Sequence, residues 1–303
     1  MPATLSKKED AEKLEKQKRI DSVVNALSRS FFLGVSAACC PITVEPGVIS
    51  SFYSDVAVGA TAITTLTALS GFFEFTLNPT LGNLSDVIGR RPFFIYPPAI
   101  VAIMNILVSI YPVKNLVLFN AIVRRTMATF GGSVATMTVL GDLCQGKQFS
   151  IAFSKAFGTI GFGVIFGPLC SNVVQQLLGP SPRLVYLMTS MFAMIQLVNN
   201  YYNIPETLED PKDGEEKRTF KGFVNPFAFY KLFTKSVALS KCVTAAAMAS
   251  FTEGKNLNDL GLLWFTNNCS ITPNDLQNYI TIWGIACVFS GTKLVPYLIQ
   301  NLG

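Results

Sequence analysis

The chain has 303 residues, of which 50% are hydrophobic and 14% charged, with a positive mean hydropathy of +0.41. Soluble domains carry nearer a quarter charged residues, so this composition belongs to an integral membrane protein. The net charge of +5 is not gathered on any polar segment of domain size, which excludes a nucleic-acid surface and leaves the positive residues to direct topology. The seven cysteines are scattered without C-x-x-C spacing, so neither a zinc site nor a disulfide framework is expected. Histidine is absent, which removes the usual metal ligand and the usual base near neutral pH. No metal or cofactor is expected, no enzyme constellation is found, and any proton carried through the bilayer must ride on a carboxyl group.

Residues 1–29 form a polar, sign-mixed segment, K-K-E-D-A-E-K-L-E-K-Q-K-R at its centre, read as a solvated cytoplasmic tail ending in a short helix. Nothing before Phe31 has the form of a cleavable signal peptide. About eight apolar spans follow, at 30–52, 57–80, 92–112, 115–140, 150–178, 183–204, 237–266 and 277–299, each long enough for a core of ~30 Å at ~1.5 Å per residue. The rhythm breaks once, at 207–236, where E-D-P-K-D-G-E-E-K-R marks a cytoplasmic linker. It divides a six-helix domain (30–206) from a two-helix segment (237–303). With the N-terminus in the cytoplasm, the cytoplasmic segments hold sixteen Lys/Arg, while the external loops hold Lys114 and Arg183.

Several motifs carry chemistry. Between spans two and three, G-N-L-S-D-V-I-G-R-R-P (82–92) reads as a charged hairpin at the water interface. Gly82 and Gly89 suit close helix approach and a tight reversal, Asp86 can bond free amides or an Arg, and Arg90 and Arg91 precede Pro92 at the first turn of the next helix. Span five carries Gly158, Gly161, Gly163, Gly167 and Pro168. Because these lie inside an apolar helix, they are a packing face and not a nucleotide loop. Ionisable residues within spans are costly and usually face a cavity or a partner. Five stand out, Glu45, Arg124, Arg125, Glu253 and Asp259, with Glu74 in span two either lining a cavity or pairing. Only one of the adjacent Arg124 and Arg125 can point fully inward. Either an ion pair holds helices one and four together, or these groups serve substrate and proton. In span seven, E-G-K-N-L-N-D (253–259) is read as a broken helix lining water.

The loop signature at 82–92 resembles that of the major facilitator superfamily between its second and third helices. The glycine series ending in Gly167-Pro168 resembles the antiporter motif of facilitator-type drug exporters. F-E-F-T-L-N-P-T-L-G-N-L-S-D (73–86) and G-D-L (141–143) are similar to tetracycline-resistance efflux proteins. I-P-E-T-L (204–208) is similar to the Pro-Glu-Thr closing of many facilitators, and F-T-E-G-K (251–255) to the hippocampus-abundant-transcript-like relatives. One departure stands out: Arg125 is followed four residues later by Thr129, where the family usually has Gly.

The resemblance implies an all-α fold with a complete N-terminal six-helix domain and the first two helices of a second domain, the chain being a fragment or a reduced relative. It implies a secondary transporter of a small organic solute, exporting it against protons by alternating access, with Asp86 and its neighbours as a cytoplasmic latch. Glu253 would exchange the proton, while Glu45 with its Arg partner would sense substrate. Two alternatives remain open: a facilitative uniporter for sugars or metabolites, and a non-transporting membrane subunit.

Overall fold

In a computed structural model of the chain, the described residues are 2–208, 222, 224–252, 261, 264, 268, 269, 271 and 273–302. Helix α1 (Pro2–Cys39) stops where Pro41 withdraws a backbone donor, and the chain turns through residues 40–44. It then restarts as the short α2 (Glu45–Ser51), with Pro46 in the first turn. The single span expected over 30–52 is therefore two helices, and the break leaves Glu45 at the head of α2.

Helix α3 (Val56–Ile88) begins at an Asp55 cap, whose carboxylate accepts from the Ala57 amide at 2.8 Å. It runs eight residues past the expected end at residue 80. The polar hairpin therefore shrinks to Gly89–Arg91, and Gly82 lies inside the helix with open space around it. Gly89 makes the reversal at φ +100°, a conformation that side chains rarely adopt. Helix α4 (Pro92–Ile110) then opens on Pro92, as expected.

Span four is α5 (Lys114–Thr129), a π-helical turn over Phe130–Val134, and α6 (Ala135–Leu143). Helices α7 (Gly146–Gly158) and α8 (Ile160–Leu178) meet at Thr159 to make span five, and α9 (Pro182–Asn203) is span six. After a 3-10 turn at Pro226–Phe229 come α10 (Tyr230–Thr234), α11 (Val237–Thr252), α12 (Pro273–Phe289), a second π-helical turn at Ser290–Leu294, and α13 (Val295–Leu302).

Among the described residues five helical stretches are long and apolar enough to cross a membrane: Gln17–Cys39, Val56–Ile88, Pro92–Ile110, Gly146–Leu178 and Asn278–Asn301. Large apolar side chains such as Phe72, Ile103, Phe162 and Met191 face outward on these and neighbouring helices, as a lipid-facing perimeter requires. The molecule is an all-helical, multi-pass integral membrane protein.

Side-chain bonds to backbone set which helices touch. Asn200 of α9 donates to the Phe94 carbonyl at 2.8 Å and Ser190 to the Ala102 carbonyl at 3.0 Å, tying α9 to α4. Gln196 donates to Ser30 of α1 at 3.3 Å. The apolar part of α1 starts earlier than residue 30. Ile20, Val23, Val24 and Leu27 are buried with Phe94, Val139, Leu140 and Ala156, so the last ten residues of the expected tail belong to a packed helix. Beyond the linker, the Val224 amide donates to Thr80 at 3.1 Å and Phe227 meets the edge of Phe75 at 5.5 Å, which seats the 3-10 turn on α3.

The span-five glycines face two ways. A Cβ at Gly163 would stand 2.8 Å from the Phe32 carbonyl, and one at Gly167 would strike the Ser36 carbonyl, both on α1. Gly158 and Gly161 meet the opposite neighbour at Gly291, Thr292, Gly284 and Val288, while Pro168 is buried within α8. Backbone thus rests on backbone on both sides of α8. Adding a methyl here forces a shift of fixed backbone, at a cost of about 1–3 kcal/mol. Gly161→Ala and Gly167→Ala should each lower the thermal midpoint of the detergent-purified protein by several degrees. Gly71→Ala, placed where nothing lies within 4 Å, should leave it unchanged or raise it.

Candidate functional site

The break in span one builds the polar centre of the bundle. The Ile42 amide turns to the Cys39 carbonyl, which leaves Ala38 O to Arg124 Nη1, donating to it at 2.8 Å. Arg124 Nη2 forms an ion pair with Glu45 Oε2, and the two residues are 6% and 3% exposed. Arg125, one position on, points instead to Thr67 of α3, so the pair of arginines divides as the helical geometry demands. Removing one member of such a buried pair strands the other charge, a loss of about 3–5 kcal/mol.

Arg124 also lines a cavity of about 90 Å³ between α1, α4, α5 and α9, together with Gly34, Pro97, Val101, Gly132 and Gln196. Two local features open this space. A Cβ at Gly34 would stand 2.7 Å from Gln196 Nε2, so glycine lets the amide in. The π-helical turn places Gly131 against Pro97 and leaves Gly132 facing open space, one turn and more beyond the arginines. Gly131 and Gly132 stand two and three residues beyond Thr129, the position where the family usually has glycine. Glu74 is half-buried on α3. Glu253 and Asp259 lie outside the described residues.

A second network closes the bundle at the Asp86 end. Arg90 Nη1 bonds Asp86 at 2.6 Å and Nε bonds Asp142, at the end of α6, at 3.0 Å; the aspartates are 56% and 29% exposed. Nη1 also donates to Ser85, whose hydroxyl donates to the Gly82 carbonyl at 2.7 Å. Burial alone would lower the Arg90 pKa, but hydrogen bonds and charge from Asp142 and Asp86 outweigh it and raise the value. Arg91 turns outward, donating to the Tyr201 carbonyl at 2.6 Å with its guanidinium 5.3 Å from the Tyr201 ring centre.

Glu206 completes the turn. Its carboxylate accepts the amides of Arg90 at 2.8 Å and Arg91 at 3.1 Å, at the N-terminus of α4, and those of Thr207 and Leu208 at 2.9 Å each. A Cβ on Gly89 would collide with this carboxylate, so the turn needs glycine twice over. Burial would raise the Glu206 pKa, yet the amides of Leu208, Arg90, Arg91 and Thr207 prevail and hold it below its ordinary 4.5. Neither Glu206 nor Asp142 had a role in the sequence reading. Their signals were Pro-Glu-Thr at 205–207 and Gly-Asp-Leu at 141–143, noted there only as likenesses.

Charges sequestered against a cavity, inside a bundle whose outer surface is apolar, define a polytopic membrane protein with a polar interior centre. The chain belongs to the Major Facilitator Superfamily, whose profile matches residues 30–299. It is 19% identical over 243 residues to the mouse and human proteins named hippocampus abundant transcript 1 protein, a stretch covering 78% of this chain and 47% of each relative. The chain spans about half the length of those curated relatives. The crystal structure of the human organic anion transporter MFSD10 (TETRAN) superposes with a TM-score of 0.71 at 16% identity, covering 92% of this chain and 73% of that one. The shared fold is that of the superfamily.

Two outcomes follow from the Asp86 end. Asp142 is the more enclosed partner of Arg90, so Asp142→Asn should raise thiol labelling of the buried Cys144 two residues away, and Asp86→Asn should raise it less. Glu206→Gln should destabilise the turn by on the order of 1 kcal/mol once screening at this exposed position is allowed for. Because the folded pKa of Glu206 is depressed, its contribution is complete above pH 4.5 and is lost as pH falls through the folded value. The melting difference between parent and variant should hold steady from about pH 6 to 8 and shrink below about pH 4.5.

Proposed function

We propose that the protein is a secondary transporter moving a small organic solute by alternating access, coupled to protons in the direction of export. The observation that carries this reading is the Glu45–Arg124 ion pair, buried at a break in span one and presenting the arginine to a cavity. A pair of this kind responds to ligand: an anionic group meeting Arg124 competes with Glu45, and the helices the pair joins then move apart. The organic-anion transport named for the human structural neighbour supports an anionic solute, which an arginine-lined cavity suits.

The Asp86–Arg90–Asp142 network serves as a latch at what we assign as the cytoplasmic end, where most Lys and Arg outside the spans collect. The Glu206 staple holds the turn in shape while the latch opens. The proton travels on a carboxyl group, with Glu253 as the candidate on sequence grounds and Glu45 reserved for solute.

The test is solute flux in vesicles with an imposed pH gradient. Glu253→Gln should abolish gradient-driven accumulation and leave solute exchange measurable, whereas Glu45→Gln should weaken solute binding. Full accumulation by Glu253→Gln would remove the proton from Glu253, and transport by the parent protein that is insensitive to the pH gradient would make it a facilitative uniporter. Loss of neither activity in Glu45→Gln would remove the ion pair from the solute site.

A further inference from the structure

Among the buried polar atoms without a hydrogen-bond partner in the protein, which include Thr43 Oγ1 and Thr126 Oγ1, four belong to the Glu45–Arg124 pair and to one residue each of α5 and α9: Glu45 Oε1, Arg124 Nε, Asn120 Oδ1 and Tyr186 Oη. Their residues are 3%, 6%, 1% and 2% exposed, so none reaches bulk water. Buried polar groups are almost always paired, which makes four orphans in one region a feature to be explained.

The four come from elements that already meet. Glu45 and Arg124 bond directly, joining α2 to α5. Asn120 lies one helical turn before Arg124 on the same face of α5, and its amide nitrogen donates to Asn105 of α4 at 3.2 Å, which leaves its oxygen for another donor. Tyr186 of α9, a wholly buried ring, shares an apolar cluster with Ile49 and Ala121, neighbours of the polar groups on α2 and α5. It also lies within electrostatic range of both Glu45 and Arg124.

Counted by chemistry, the orphans are two donors, the Arg124 N–H and the Tyr186 O–H, and two acceptors, the Glu45 and Asn120 oxygens. That is the complement of one tetrahedral water, which accepts twice and donates twice. No direct Tyr186–Glu45 bond is made, and one small bridging molecule would serve all four groups. We infer that the ion pair is built around one enclosed water, and that Tyr186 is a positioning residue whose hydroxyl holds this water and, through it, the free oxygen of the Glu45 carboxylate. This goes beyond the transport reading and stands or falls separately from it.

The test is a double-mutant cycle with an infrared readout. If the hydroxyl only fills space, Tyr186→Phe removes an unpaired polar group and is neutral or stabilising. If it holds the water, Tyr186→Phe lowers the thermal midpoint by about 2 °C or more, and the loss disappears in a Glu45→Gln background. Should Glu45→Gln fail to fold, Glu45→Asp replaces it in the cycle, since it keeps the charge but draws the carboxylate back by one methylene. In protein carrying ¹³C in its glutamate carboxyl groups, the difference spectrum between parent and Tyr186→Phe should show a shifted carboxylate band. An unchanged or higher midpoint, an equal loss in both backgrounds, or a difference spectrum without a glutamate band would each overturn the assignment.

Discussion

A charge pair inside hydrocarbon is the constraint around which this bundle is arranged. Neither Glu45 nor Arg124 can be left alone at that depth, so α2 and α5 must stay in register to keep them together. The same arginine satisfies a carbonyl freed by the break in span one, and the break exists because Pro41 and Pro46 bracket it. Irregular backbone at membrane depth is tolerated here because a side chain from a neighbouring helix completes its bonding. Backbone geometry, helix contact and cavity wall thus depend on one guanidinium.

Around that centre the helices are placed by contacts that do not rely on apolar attraction, which has little force between helices in lipid. Span six uses amides and hydroxyls against the carbonyls of α1 and α4, which explains why it is less apolar than its neighbours. Span five uses the absence of side chains. Its glycines bring α1 against one side and the helix of residues 273–302 against the other, so among the described residues span five, α7 together with α8, touches the segment beyond the linker. A motif readable as one packing face is in fact two.

The Asp86 end follows a different rule, because water is near and charge is less expensive. Arg90 is shared between two aspartates of unequal exposure, a strong contact and a weak one on the same cation. Glu206 works on backbone instead: four amides converge on one carboxylate, so the shape of the turn is held separately from the ion pairs that it presents. The shape of this end and the ion pairs it carries thus rest on separate groups.

The residue pattern by itself determined the class, the all-helical fold, the family likeness and the list of charges that needed partners. Each of these rests on local properties: apolar run length, the cost of ionisable groups in a bilayer, and the loop and glycine spacings. It also showed that only one of Arg124 and Arg125 could turn inward, since successive helical residues diverge by about 100°. Which one it was, and that Glu45 received it, depended on the rotation of α5 against α2, which only packing between distant segments decides. The same holds for Glu206 reaching Arg90 across 116 positions of chain, and for Asp142 meeting it across 52. Tyr186 left no signal in the sequence, because a tyrosine in an apolar run looks like any core aromatic until its hydroxyl is found buried without a partner in the protein. Helix ends moved for a related reason: α1 begins well before residue 30 because Ile20, Val23, Val24 and Leu27 pack against distant helices while the polar residues between them stay exposed, and that packing is a property of the assembled bundle.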